Sequence, residues 1–114
     1  MAAERMQKIN ELVRERVSEI ISRDIDLSPD VFVTITTVDT SRDLKHSTVY
    51  VTVIPDGKRL SVVRDLQARA GRIQKELGSK ITIKFTPRLT FKLDEGAIHA
   101  QHIYDILDSK NSKS

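Results

Sequence analysis

The chain has 114 residues and no cysteine, and its 19 lysine and arginine residues outnumber 16 aspartate and glutamate residues to leave a net charge of +3. This length fits one domain, and the lack of cysteine excludes a disulfide framework and thiol chemistry, as expected in a reducing cytoplasm. No apolar run approaches about 18 residues and no signal-peptide pattern is found, so the sequence predicts neither a membrane span nor export. The small positive charge is a weak indication of a polyanionic partner.

The first predicted element is an amphipathic helix. Its apolar residues recur at steps of three and four, the spacing of one helical face: Met6, Ile9, Val13, Val17, Ile20 and Ile21. Ser28-Pro29-Asp30 follows, and proline removes a backbone donor and disfavours helix in the residue before it. We therefore expect this helix to end before Pro29.

A β-hairpin is predicted next. Residues 31–38 and 47–53 alternate apolar residues with threonine and are rich in β-branched residues, as half-buried strands are. The charged connection 39–46 is too long for a minimal turn, and Asp43 is expected to order it by accepting hydrogen bonds from backbone amides. A hairpin is marginally stable without a cover, so the flanking helices must pack on one of its faces.

A second helical stretch follows a turn at Pro55-Asp56-Gly57. Its apolar stripe again has three- and four-residue steps and comprises Val63, Leu66, Ala70, Ile73 and Leu77. Gly71 lies near its middle, where glycine costs about 1 kcal/mol relative to alanine. We expect Ala70 and Gly71 to form a bend between two helices or to allow close backbone approach. A glycine tolerated in a straight helix is the alternative.

The last elements are a third strand and a terminal helix. Apolar residues occupy odd positions from Ile81 to Leu93, and we place the regular strand at 81–86, with Pro87 marking an edge, a bulge or the strand's end. An amphipathic segment at 97–107 is predicted to pack as a short helix against the body. Residues 109–114 have nothing to bury and are expected to form a flexible tail.

The predicted fold class is α+β, with the order α-β-β-α-kink-α-β and a short C-terminal helix. This is the element order of a type II KH domain that lacks the phosphate-clamping G-x-x-G loop. We assign residues 4–108 to a single KH-like domain.

Three segments resemble the ribosome-binding factor A family. They are the run Val38-Asp39-Thr40-Ser41-Arg42-Asp43-Leu44 leading into Val49-Tyr50-Val51, the region from Leu66 to Ile73, and the pattern Pro87-x-Leu89-x-Phe91-x-x-Asp94. The resemblance implies a KH-like fold in which an Ala-x-Gly kink replaces the G-x-x-G loop. Here Arg69 stands where a strict Ala-x-Gly has alanine, and Ala100 aligns where the family commonly has glycine.

The resemblance also implies a function in ribosome biogenesis. Such proteins are non-catalytic assembly factors that bind free or immature small ribosomal subunits through their rRNA near the decoding region. They support late processing of the pre-rRNA ends, and they matter most in cold adaptation. We expect a monomer with no cofactor, no small-molecule substrate and no membrane partner.

RNA phosphates would then be the ligands of the basic residues. The first candidates flank the predicted kink and are Arg64, Arg69, Arg72 and Lys75; the second candidates lie on the N-terminal helix and the hairpin loop and are Arg5, Lys8 and Arg42. We interpret Lys84, Arg88 and Lys92 as a solvated row on the polar sheet face. Tyr50 is expected to be a sheet residue, and recognition to be of backbone shape, because aromatic residues make up only 4% of the chain.

Two other function classes have weaker support. His99 and His102 have i,i+3 spacing near Asp94 and Glu95, but zinc typically takes four ligands, and we predict no metal site. No nucleophile-base pair or nucleotide-binding glycine pattern is found, so an enzyme is not predicted. The alternative function is a protein-interaction module that uses an apolar strip.

That strip consists of Leu89, Phe91 and Leu93. Salt distinguishes the two functions, because binding to RNA phosphates weakens steeply with added salt and an apolar interface does not.

Overall fold

The computed structural model describes residues 2–81 and 86–111, and leaves undescribed the side chains of residues 2, 101, 102, 105 and 108–111. Its elements, in chain order, are α1 (Ala2–Asp24), β1 (Phe32–Thr40), β2 (His46–Ile54), a 3₁₀ turn (Asp56–Lys58), α2 (Arg59–Ala68), α3 (Ala70–Lys80), β3 (Arg88–Leu93) and α4 (Glu95–Asn111). The predicted α+β class and element order are confirmed. Within the described ranges no helix combines the length and apolar character needed to cross a bilayer.

The three strands form one sheet in the order β1-β2-β3. β1 and β2 are the antiparallel hairpin, and β3 returns parallel to β2 after the α2–α3 crossover. The register places Tyr50 beside Lys92 and His46 beside Arg88 on the polar face. The other face carries the buried residues, so the helices cover one side of the sheet and leave the second side open.

The hairpin contains a β-bulge. The pairing passes from Ile35↔Val51 directly to Thr37↔Tyr50, so Thr36 is an extra residue in β1. Ile35 and Val38 are therefore both buried although they lie three positions apart, because the bulge shifts the alternation by one residue. In the sequence, the adjacent residues Thr36 and Thr37 interrupt the apolar–polar alternation at this point.

The core lies between the sheet and helices α1, α2 and α3. The α1 stripe is buried as predicted, with Val13, Val17 and Ile20 essentially inaccessible to solvent, and Leu66, Ile73 and Leu77 face it from α2 and α3. Full burial of one such side chain stabilises the fold by about 1.5–3 kcal/mol. This face therefore fixes where the exposed charges of α2 and α3 can lie.

Most of the strand predicted at 81–86 lies outside the described residues, and its two described ends, Ile81 and Thr86, are not in a strand. The described third strand, β3, begins at Arg88, directly after the buried Pro87. Proline has no N–H for a ladder bond and is acceptable immediately before the first strand residue. Leu89 and Phe91 are only 1% and 4% exposed and Leu93 is half-buried, so the apolar strip considered as an interface belongs to the core.

The C-terminal helix was predicted to be short and packed, and both expectations are wrong. α4 has 17 residues and reaches Asn111, so it enters the segment predicted to be a flexible tail, and its apolar side chains are largely exposed. Tyr104, for example, is 64% exposed. The first turn is fixed by Asp94, whose Oδ1 accepts a hydrogen bond from the Ala97 amide at 3.0 Å.

Candidate nucleic-acid interface

The break between α2 and α3 lies at Arg69. This residue has φ −99° and ψ 5°, and its N–H donates to both Asp65 O at 3.2 Å and Leu66 O at 3.1 Å. The helical ladder resumes at once, because Ile73 N donates to Arg69 O at 3.0 Å. One non-helical residue is therefore enough to redirect the chain.

The predicted bend at Ala70 and Gly71 is thus displaced by one residue. Both belong to α3, and Ala70 is buried at the junction of the two helices. A Cβ built on Gly71 meets nothing within 4 Å, so this glycine does not permit a close backbone approach. A close contact is found at Gly78, but with a side chain: a Cβ there would lie 2.6 Å from Thr86 Oγ1.

Arg69 also ties the break to the end of α1. Its Nη1 donates to the Asp26 carbonyl oxygen at 3.1 Å, and the side chain is half-buried. A guanidinium has five N–H donors, so one backbone contact leaves others for a phosphate. The side chain is held in place before any ligand arrives.

Arg72 and Lys75 are exposed one turn apart on α3. Arg72 lies near two acidic side chains that contact each other, Glu76 of α3 and Asp24 at the end of α1. The contact with Asp24 and partial burial raise the pKa of Glu76, while the positive charges of Arg72 and Lys80 lower it. Basic and acidic groups therefore alternate beside the helix break.

Arg64 lies in a different place from Arg72. It lines a groove of about 890 Å³ between α2, the end of β3 and the start of α4, together with Tyr50, Leu60 and Lys92. Sequence reasoning missed this neighbourhood, because Lys92 was assigned to a solvated row and Tyr50 to the sheet. The period-two register that aligns Tyr50 with Lys92 was the available signal.

The second-choice residues are divided as well. Arg5 of α1 and Arg42 of the hairpin loop line one groove of about 570 Å³, whose apolar residues include Met6 and Leu44. Lys8 lines another groove, which it shares with Glu4, Glu11 and Glu15. The structure therefore brings Arg5 and Arg42 together and leaves Lys8 among carboxylates.

Asp43 organises the loop that presents Arg42. Its Oδ1 accepts hydrogen bonds from Ser41 Oγ at 2.6 Å and from the Lys45 amide at 3.0 Å, as the sequence predicted for the amide. These two bonds, the Ser41 hydroxyl first, lower the pKa of Asp43. Leu44 completes the turn with a φ of 62°, which is a rare backbone conformation for leucine.

The remaining candidate residues are the cations of the predicted solvated row and the two histidines near the C-terminus. Arg88 and Lys92 lie exposed on the open sheet face, and Lys84 lies outside the described residues. His99 is exposed on α4, and the side chain of His102 is not among those described. In the described part of the chain, no three His, Cys, Asp or Glu side chains are grouped so that they could hold a metal ion.

Comparison with known proteins identifies the family. The family model described as ribosome-binding factor A matches residues 5–107, which is most of the chain. This chain belongs to that family. A relative named ribosome-binding factor A, from Natranaerobius thermophilus, is 32% identical over 112 residues, covering 97% of this chain and 86% of the relative.

Solved structures agree on the fold. The crystal structure of ribosome-binding factor A from Thermus thermophilus matches with a TM-score of 0.69 at 21% identity, over 77% of this chain and 94% of that chain. A homology model of the Thermus thermophilus factor, fitted into a cryo-EM map of a 30S complex with that factor, matches with a TM-score of 0.60 at 23% identity, over 73% and 88%. At these identities the likeness establishes a shared fold, consistent with the KH-like prediction.

Proposed function

We propose that this protein is an assembly and maturation factor of the small ribosomal subunit. It binds free or immature small subunits through their rRNA near the decoding region and supports late maturation of the pre-rRNA ends, with its greatest importance in the cold. The family match over residues 5–107 carries this proposal. Support also comes from the Thermus thermophilus relative, which was fitted into a map of a 30S complex.

The contact with RNA is made by the basic residues next to the break between α2 and α3. Arg72 and Lys75 are exposed on α3, and Arg69 is held beside them by its bond to the Asp26 carbonyl. Exposed cations bind phosphates chiefly by releasing condensed counterions. Such contacts position a protein on folded RNA without reading bases.

A second RNA contact uses the groove between Arg5 and Arg42. The loop hydrogen bonds of Asp43 hold Arg42 opposite α1, so the two guanidinium groups border one concave surface. A phosphodiester segment between them would meet both positive charges. Because this groove and the helix break involve different elements, the protein recognises the arrangement of RNA segments.

Co-sedimentation tests the proposal. The purified protein is mixed with free small subunits, assembled ribosomes and naked rRNA at low and moderate salt. Selective, salt-sensitive migration with free small subunits is expected. If four cations contact phosphates, the slope of log affinity against log salt is roughly −3 to −4. No migration with any of the three would contradict the proposal.

A matched pair of variants locates the contact. Arg72→Glu is expected to weaken small-subunit binding while the protein stays folded, because Arg72 is exposed. Lys58→Glu makes the same charge change in the exposed 3₁₀ turn, at the other end of α2, and is expected to bind nearly as well as the parent protein. Equal weakening in both variants would show a nonspecific charge effect, and normal binding by Arg72→Glu would remove that residue from the interface.

A further inference from the structure

The two outer edges of the sheet, on β3 and on β1, differ in how far side chains bind their backbone polar groups. At the outer edge of β3, Leu89 N donates to Gln74 Oε1 and Phe91 N donates to Gln67 Oε1, each at 2.9 Å. Gln67 Nε2 in turn donates to Leu89 O at 3.3 Å. Side chains of α2 and α3 therefore occupy backbone groups that another strand would need.

The outer edge of β1 is more open. Among the described residues, the one side chain that binds a backbone group of β1 along this edge is Asn10, whose Oδ1 accepts from Thr40 N at 3.0 Å. That contact lies at the last residue of the strand. The stretch from Phe32 to Val38 has no comparable cover in the described structure, and an edge with unpaired N–H and C=O groups is a template for a further strand.

A channel follows this stretch. One groove, of about 410 Å³, lies between the C-terminal half of α1 and residues 32–35, and includes Ser18, Ser22 and Asp26. A second groove, of about 870 Å³, lies between the N-terminal half of α1 and Thr37 and Val38. The two grooves lie end to end beside one strand, and seven strand residues span about 23 Å.

The α1 wall of the second groove is acidic, although the protein carries a net charge of +3. Glu4, Glu11 and Glu15 line the second groove with a single cation, Lys8. Arg14 forms an ion pair with Glu11 at 2.8 Å, while Asp26 adds a carboxylate to the first groove. Such a surface repels the phosphates of RNA and attracts a positively charged ligand.

We propose that the β1 edge binds an extended lysine- or arginine-rich segment of a partner protein as an added fourth strand. Within residues 32–38, the N–H and C=O groups that point away from β2 supply main-chain hydrogen bonds, and the glutamates of α1 pair with alternate basic side chains. This mode of recognition suits a peptide, because main-chain bonding gives affinity and alternate side chains give specificity. The channel meets the helix break at Asp26, which lines the first groove and accepts from Arg69 Nη1 through its carbonyl oxygen. The second groove and its glutamates share no residue with the helix break.

NMR titration of the full-length ¹⁵N-labelled protein tests this proposal. The probe is a synthetic eight-residue peptide of alternating lysine and valine, and the control is the same peptide with alternate backbone nitrogens methylated. Methylation keeps the charge but removes the donors of a ladder. We expect the unmethylated peptide to shift the amides of Val33 and Ile35, with no comparable shifts at Leu89 and Phe91, and the methylated peptide to bind at least tenfold more weakly.

A charge-reversal pair tests the acidic wall. Glu15→Lys changes an exposed residue of the channel, and Asp65→Lys makes the same change on the exposed surface of α2. We expect Glu15→Lys to weaken the peptide by about three- to tenfold, and Asp65→Lys to leave it within about twofold.

Several outcomes would overturn the proposal. Equal binding of the methylated and unmethylated peptides would show charge attraction without strand addition, and absence of binding would remove the site. Shifts of the same β1 amides by an RNA oligonucleotide would assign the surface to nucleic acid. Concentration-dependent shifts of these amides without peptide would assign it to a second copy of the chain.

Discussion

Thr36 Oγ1 donates a hydrogen bond to Asp94 Oδ2 at 2.5 Å, across 58 positions of sequence. Thr36 is the bulged residue of β1, and Asp94 is the residue that caps α4 through the Ala97 amide. The same carboxylate therefore joins the hairpin to the start of the terminal helix. The Thr36 hydroxyl contributes most, followed by the Ala97 amide, to lowering the pKa of Asp94.

Asp94→Ala is expected to reduce the free energy of unfolding by about 1–2 kcal/mol, because it removes a helix cap and a side-chain hydrogen bond. Asp94→Asn keeps one acceptor oxygen, so its free energy of unfolding should lie between those of Asp94→Ala and the parent protein. Urea denaturation measures the differences. Thr36→Val combined with Asp94→Ala should cost less than the sum of the single changes, and strict additivity would show that the two side chains are not coupled.

Stability should also depend on the ionisation of Asp94. Its folded-state pKa lies below the usual value of about 3.9, so its contribution is present above that value and is lost as the pH falls through the folded pKa. The difference in unfolding free energy between the parent protein and Asp94→Asn should therefore shrink progressively as the pH is lowered from about 5 into the acid range below the usual aspartate pKa. A difference that stays constant over this range would contradict the assignment.

Glu76 should behave in the opposite sense. Its contact with Asp24 raises its folded-state pKa, so the favourable effect of protonation exists at low pH and is lost as the pH rises through that pKa. Glu76→Gln should raise the melting temperature at pH 7, where the two carboxylates repel each other, and have little effect near pH 3. Glu95→Gln is a control on the exposed first turn of α4.

Two glycines of α3 make a matched comparison. Gly71→Ala should stabilise the protein by up to about 1 kcal/mol, because the new methyl group enters open space and alanine is the better helix former. Gly78→Ala should gain less or lose stability, because its Cβ would lie 2.6 Å from Thr86 Oγ1. Adding Thr86→Ala to Gly78→Ala should restore the missing stabilisation, because it removes the Oγ1 atom that the new Cβ would meet. Equal stabilisation by both glycine substitutions would show that the contact at Gly78 is unimportant.

The covered edge of β3 predicts a change in hydrogen exchange. Gln67→Met removes the acceptor of Phe91 N and the donor to Leu89 O, so the Phe91 amide should exchange faster and the fold should lose about 1 kcal/mol. Gln7→Met, on the exposed side of α1, is the control. Unchanged exchange at Phe91 would indicate that water or another group replaces the glutamine.

Residue periodicity was sufficient to predict the elements and most of the core. The three- and four-residue steps of α1 and the alternation in the hairpin correspond directly to buried faces, because secondary structure repeats at fixed periods. Periodicity was insufficient to place the third strand: apolar residues alternate from Ile81 to Leu93, but Ile81 and Thr86 are not in a strand and the described β3 spans Arg88–Leu93. Periodicity also failed to predict that α4 is long and largely exposed, since an apolar stripe predicts a helix without specifying what the helix packs against.

The sequence by itself determined the order of elements, the presence of a helix break near residue 70, the role of Asp43 in its loop and the resemblance to a family. Tertiary structure decided how the cations are distributed: Arg69 binds the Asp26 carbonyl, Arg5 joins Arg42, and Lys8 lies among glutamates. It also decided which sheet edge is covered, because Gln67 and Gln74 reach β3 from other elements. These features depend on contacts between residues distant in sequence, and local periodicity carries no information about which distant residues meet.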